Sequence, residues 1–191
     1  MSERQLIWMK YYKETQYESI CLEIFRKIDI KEGEIVLDFG CGKGTYTIPA
    51  AKIVGESGRV YAVDENESKL TELSKKCQEQ NLNNVEIVHT KGDLHLNFSD
   101  SMFDVVLLYD IFWYFPAGSS DLIKLLDEVQ RISKNNVLIS AYPEHTDTEK
   151  LKRIFIQHGF LLKNIYKGKV IHEDAIVNGS IYNFIKEGKN V

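Results

Sequence analysis

Asp38, Gly40, Gly42 and Gly44 stand in the stretch VLDFGCGKG, where an apolar run stops at an acid and glycine then recurs at every second position. A glycine in a structured segment costs about 0.5–1 kcal/mol relative to alanine, so three together imply that something approaches this backbone closely. A helix-like segment follows at Thr45, and backbone N–H groups at a helix start suit a carboxylate or another anion. The spacing G-x-G-x-G is related to the dinucleotide fingerprint G-x-G-x-x-G without matching it. Asp64 and Glu65 close the next apolar run, VYAVDE, roughly 20 residues further on, where a carboxylate can accept both hydroxyls of a ribose. The other reading of Asp64 is a cap for the helix behind it.

A third stretch is TKGDL, in which Gly92 bends the chain, Asp93 can accept from an exocyclic amine such as that of adenine, and Leu94 can cover the ring. Alone it also fits a plain surface turn. The fourth, FDVVLLYDIFWYFP, ends its apolar run at Tyr109 and Asp110 and continues into Phe112, Trp113, Tyr114 and Phe115. Asp110 can act as a general base in a dry site or orient a ligand's amino group. The aromatics can stack on an acceptor or pack a loop onto the core. His145 follows a fifth apolar run and is the remaining base candidate. No Cys or His spacing suggests a metal site.

Regular elements must hold these stretches in place. Near-continuous apolar runs predict strands over 35–39, 59–64, 85–89, 103–109 and 137–141. Helical periodicity predicts helices over 45–54, 67–80, 122–132 and 148–158, the last closed by Gly159. Two final strands, 160–166 and 180–185, have no helix-length segment between them, only a loop over 167–179. They are expected to pair antiparallel, while the alternating strands before them run parallel. The fold class is therefore α/β: a doubly wound, Rossmann-like sandwich around a mostly parallel seven-stranded sheet with an antiparallel last strand. In such sheets ligands bind beyond the carboxyl ends of the strands, where all four stretches begin.

The 191 residues suit one domain. Residues 1–34 form an N-terminal helical segment of one or two helices, and residues 35–191 form the core. The net charge of −4 provides no global basic field for nucleic acid. Apolar runs are too short to span a bilayer. The start MSERQLIW does not resemble a secretory signal, and three scattered cysteines fit reduced thiols in a cytoplasm.

The stretches VLDFGCGKG, VYAVDENESKL, TKGDL and FDVVLLYD, in this order, resemble the class I S-adenosylmethionine-dependent methyltransferases, from about Ile35 to Ser140. The resemblance implies that Asp38, Gly40 and Gly42, with Cys41 between them, line the methionine end of the cofactor S-adenosylmethionine. It assigns Asp64, beside Glu65, to the ribose and Asp93 with Leu94 to adenine. Tyr109 and Asp110 then flank the methionine part and the mouth of the active site. Related small enzymes use an aromatic N-terminal segment as a lid, and here Trp8, Tyr11, Tyr12 and Tyr17 offer one. The run after Tyr109 lacks the Asn/Asp-Pro-Pro-Tyr/Phe pattern of amino-methylating enzymes. Ser140-Ala141-Tyr142 stands where metal-assisted catechol methylation would place acids. The expected acceptor is a small molecule. RNA or protein methylation, a non-catalytic cofactor-binding module and a nicotinamide oxidoreductase are the competing readings, and an oligomer is possible.

Overall fold

A computed structural model of the chain describes residues 2–141 and 147–187. In chain order the elements are α1 (Glu3–Lys27), β1 (Ile35–Phe39), α2 (Thr47–Val54), β2 (Arg59–Asp64), α3 (Glu67–Glu79), β3 (Val85–His89), β4 (Phe103–Leu108), α4 (Ser120–Ile132), β5 (Ser133–Ala141), α5 (Thr148–Gln157), β6 (Phe160–His172) and β7 (Ala175–Lys186).

Alternation along the central strands sets the layers. In β4, Val105 and Leu107 face one side of the sheet and Val106 and Leu108 the other, and all four are buried. A strand covered on both faces needs helices on both sides. Phe25 of α1 and Ala50 and Val54 of α2 cover the first side. Leu122, Leu125 and Leu126 of α4 and Phe155 of α5 cover the second. Leu70 and Leu73 of α3 pack with Ala62 of β2.

The sheet order is β3-β2-β1-β4-β5-β7-β6. β7 runs antiparallel to both β5 and β6, and the other pairs are parallel. The order reverses between β1 and β4, which places the ligand crevice above their carboxyl ends.

One sequence expectation is narrowed and another is overturned. The N-terminal segment is one helix, started by a reciprocal cap in which Ser2 and Gln5 bond each other's backbone N–H groups. Its second half buries Tyr17, Cys21, Ile24 and Phe25, while Leu6, Trp8, Met9, Tyr11 and Tyr12 stay exposed. The loop expected over 167–179 is instead strand: β6 and β7 pair from Phe160–Lys186 out to His172–Ala175. Gly168 and Gly179, which read as loop markers, face each other across this ladder. Glu173 and Asp174 alone make the turn, both with positive φ (45° and 60°). Two-residue hairpin turns of this hand are usually Asn-Gly or Asp-Gly, so Glu-Asp carries little signal.

Among the described residues β7 pairs with β5 as far as Ala141–Ser180. The outer part of the hairpin, from Lys167 to Gly179, therefore projects beyond the carboxyl edge of the sheet. Among the described residues no helix is long and apolar enough to cross a membrane. Cys21, Cys41 and Cys77 are buried free thiols.

Phe155 is fully buried and stacks on Phe184 with ring centroids 4.5 Å apart. Phe155→Ala should lower unfolding free energy by about 3–5 kcal/mol. Urea denaturation measures it, and a loss below about 1 kcal/mol would mean that this aromatic stack is not a core contact.

Candidate functional site

A cleft of ≈ 1560 Å³ opens above the ends of β1, β2 and β4. Ordinary small-molecule pockets occupy roughly 300–1,000 Å³, so this one has room for two ligands side by side. Gly40, Cys41, Gly42, Asp64, Glu65, Asp93, Leu94, Tyr109 and Asp110 all line it. The structure thus brings together nine of the expected site residues from four separate strand ends.

The glycine turn is shaped first by the protein itself. A β-carbon on Gly40 would lie 2.6 Å from Ile111 Cγ2, and one on Gly44 would collide with Leu73. Gly42 differs: a β-carbon there would meet only the Lys69 stem at 3.9 Å, and its φ is +55°. Gly40 and Gly44 are glycines for packing, and Gly42 is the one that leaves its cleft side open.

Backbone amides at the helix start were expected to suit an anion. Those of Gly40, Cys41, Gly42 and Gly44 are used within the fold. Gly40 and Cys41 N–H donate to the Val63 carbonyl (2.8 and 3.0 Å), and Gly44 N–H donates to that of Cys41 (3.0 Å). Gly42 N–H donates to Asp64 Oδ2 at 2.7 Å. The other Asp64 oxygen accepts from Asn66 N–H at 2.8 Å. The helix cap behind it is Asn66, which accepts from Lys69 N–H, so Asp64 is not the cap. It ties the tip of β2 to the glycine turn while facing the cleft.

Asp38 does not line the cleft. It is buried beneath the turn and accepts from Thr47 Oγ1 at 2.6 Å, fastening the start of α2 to β1. Burial pushes its carboxyl up to about 7, against the Thr47 hydrogen bond and with a smaller push from Asp64. Cys41 is also buried, and the same desolvation pushes its thiol well above the usual range.

Asp93 accepts from His95 N–H at 3.0 Å, fixing the turn that presents Leu94. Asp110 has φ +60°, a conformation Asp tolerates better than most residues. Its Oδ1 lies 2.5 Å from His172 Nδ1. His145 lies outside the described residues, as does Tyr142. Among the described residues no group of three His, Cys, Asp or Glu is arranged for a metal.

The pattern of a family described as a methyltransferase domain matches residues 30–186. The chain belongs to the class I S-adenosylmethionine-dependent methyltransferases. A demethylmenaquinone methyltransferase of Lactobacillus johnsonii is 37% identical over 113 residues, which are 59% of this chain and 44% of the relative. The namesake from Geobacillus stearothermophilus is 30% identical over 112 residues, 59% of this chain and 46% of its own length. The chain thus spans about half the length of the curated relatives it matches.

Solved structures share the fold. A SAM dependent methyltransferase from Aquifex aeolicus gives a TM-score of 0.69 at 21% identity, over 86% of this chain and 88% of its own. The magnesium protoporphyrin IX methyltransferase of Synechocystis, solved with bound SAM, gives 0.66 at 18% identity, over 91% and 79%.

The donor set fits S-adenosylmethionine. The Asp64 carboxylate faces the cleft, Gly42 leaves the floor open, and acids outnumber bases along the walls. An acidic wall suits a ligand with a sulfonium and an ammonium.

Two groups of residues escaped sequence reading. Arg131 of α4 donates to the carbonyls of Leu96 and Phe98 (3.0 and 2.8 Å) and to Glu128 and Asp100 (2.6 and 2.7 Å). Glu128 in turn accepts from Leu96 N–H at 2.8 Å. Burial pushes the Glu128 carboxyl up, but Arg131 and the Leu96 N–H outweigh it and hold it below the ordinary range. This clamp fixes the segment that follows Asp93 and Leu94. The second group is the tip of the β6–β7 hairpin. The triplet His172-Glu173-Asp174 reads in sequence as a surface patch, yet Glu173 and Asp174 line the cleft. No local signal marks either group, because both depend on contacts between distant segments.

Two predictions follow from the turn. Asp64→Asn puts an amide donor against one of two backbone donors, so the turn should lose about 1–3 kcal/mol of stability by urea denaturation. An unchanged midpoint would remove the Asp64–Gly42 tie from the account. For Asp38, the unfolded carboxyl titrates near 3.8 and the folded one near 7. The folded state therefore holds the proton more tightly, and that contribution, complete below the lower value, is lost as pH rises through the upper one. Wild-type stability should fall relative to Asp38→Asn between pH 5 and 8, and parallel curves would contradict the buried neutral acid.

Proposed function

We propose that the chain transfers the methyl group of S-adenosylmethionine to a small-molecule acceptor with a flat or apolar face. The observation that carries the reading is Asp64, which lines the cleft at the end of β2 while bonding the amide of Gly42. In this reading Asp64, with Glu65 beside it, takes the ribose hydroxyls. Asp93 accepts from the adenine amine and Leu94 covers the ring. Gly40, Cys41 and Gly42 floor the methionine end, Asp38 supports them from beneath, and Tyr109 and Asp110 flank it. When bound, the donor supplies an activated methyl on a cationic sulfur. The chain has to orient the acceptor in line with it and keep water out.

For the acceptor, Trp113 and Tyr114 line the same cleft and are largely exposed. They offer stacking area at low conformational cost, which suits a planar or apolar compound. The acidic walls disfavour a phosphate backbone. The names of relatives, demethylmenaquinone and magnesium protoporphyrin IX methyltransferases, are in keeping with small acceptors. Asp110 is paired with His172, which favours a role toward the cofactor's amino group over that of general base. His145 remains the base candidate on the acceptor side. The exposed half of α1, where Trp8 stacks on Tyr12 at 5.3 Å, serves in this reading as a lid.

Calorimetric titration with S-adenosylhomocysteine and, in parallel, NAD tests the cofactor. The first should bind at micromolar strength and the second not at all, and the reverse would make the protein an oxidoreductase. Asp64→Ala should weaken S-adenosylhomocysteine by about 10- to 100-fold, the worth of a charge-assisted hydrogen bond. Equal affinity would take Asp64 out of the site. For the lid, Trp8→Ala with Tyr12→Ala should speed cofactor dissociation in stopped-flow measurements, and an unchanged rate would remove that role.

A further inference from the structure

The part of the β6–β7 hairpin that outgrows the sheet does not end in solvent. Its tip is fastened to four elements around one end of the cleft. Tyr17 of α1 donates its hydroxyl to the Asp174 carbonyl. Lys43, in the glycine turn, pairs with the Asp174 carboxylate at 2.9 Å. Tyr46, at the start of α2, donates to the Ile171 carbonyl at 2.8 Å and accepts from its N–H at 3.3 Å. His172 meets Asp110, just after β4, at 2.5 Å, and the Glu173 N–H reaches the other Asp110 oxygen at 3.4 Å. Trp113 lies parallel to the His172 ring, with an interplanar angle of 9°.

These contacts converge on the wall formed by Gly42, Lys43, Tyr109 and Asp110. The reading above puts the amino-acid end of the cofactor there, and the inference rests on that reading. That end is a zwitterion, and the amides of Gly40, Cys41, Gly42 and Gly44 are engaged within the fold. Besides the tip's own Glu173 and Asp174, this wall carries the Lys43 ammonium and the Asp110 carboxylate, and the hairpin tip contacts both. A carboxylate oxygen accepts more than one donor, so Asp110 can take an ammonium while keeping its bond from His172.

We propose that His172 is a positioning residue for cofactor binding: from the hairpin tip its Nδ1–H aims the Asp110 carboxylate at the ammonium of the cofactor's amino-acid end. The hairpin thereby acts as a strap that completes this half of the pocket. The bond is made only when the strap is down, so strap docking contributes to affinity for the amino-acid end and not for the nucleoside end.

The test uses two probes on the intact chain, S-adenosylhomocysteine and 5′-methylthioadenosine, which lacks the amino-acid end. Calorimetry compares wild type, His172→Ala and His172→Asn, the last keeping a donor near the position of Nδ1. His172→Ala should weaken S-adenosylhomocysteine about tenfold, the loss of one oriented charge-assisted contact. It should leave 5′-methylthioadenosine within about twofold, and His172→Asn should restore most of the lost affinity. Unchanged S-adenosylhomocysteine affinity in His172→Ala overturns the proposal. So does an equal loss for both probes, which marks a merely structural role, and so does failure of His172→Asn to rescue. If wild type binds neither probe, the cofactor reading fails and takes this inference with it, an outcome distinct from selective failure in the variants.

Discussion

The hydrogen bond from Gly42 N–H to Asp64 Oδ2 ties the turn after β1 to the carboxyl end of its neighbour β2. β1 and β2 run parallel, with Phe39 opposite Val63. Their carboxyl ends therefore emerge side by side, and each must turn back into a helix. The Val63 carbonyl takes two turn amides and Asp64 takes a third. Such a turn has positive φ at Gly40, Gly42 and Gly44, and it brings an acid to the wall of the cleft. The cleft is a consequence of closing these backbone groups.

Supporting layers follow from the same constraint. Asp38 is too deep to touch a ligand, yet its bond to Thr47 sets where α2 begins. Arg131 and Glu128 do comparable work on the far side, where they bond the backbone of the segment after β3. On the third side the hairpin supplies what the sheet cannot, because β5 ends at Ala141 while β6 continues to His172. Buried or half-buried polar groups recur at each support, and each has a hydrogen-bond or ion-pair partner, as burial demands.

Elements set by local periodicity were legible in the sequence. The five parallel strands, the antiparallel last strand and the helices between them follow from apolar runs, and structure moved most boundaries by only a few residues. The site was legible where chemistry attaches to strand ends: Asp64, Asp93, Leu94 and Asp110 all reach the cleft. Asp38 reads as a ligand residue because its burial depends on Thr47 and the packed sheet, not on its neighbours in sequence. The three glycines look alike on the page, but Ile111 and Leu73, from distant segments, give two of them a packing reason. The outer part of the hairpin escaped because Glu173-Asp174 lacks the usual turn residues and two glycines sit inside the ladder. His172 then read as surface, although its partner Asp110 lies 62 residues away.

A crystal structure of the chain grown with S-adenosylhomocysteine tests the central claim most directly. The account predicts the ribose hydroxyls on the Asp64 carboxylate, adenine against Leu94, and the amino-acid end between the glycine turn and Asp110. A nucleoside bound elsewhere, or an Asp64 carboxylate turned away from it, would contradict the view that the Gly42–Asp64 junction is the floor of a methyl-donor site.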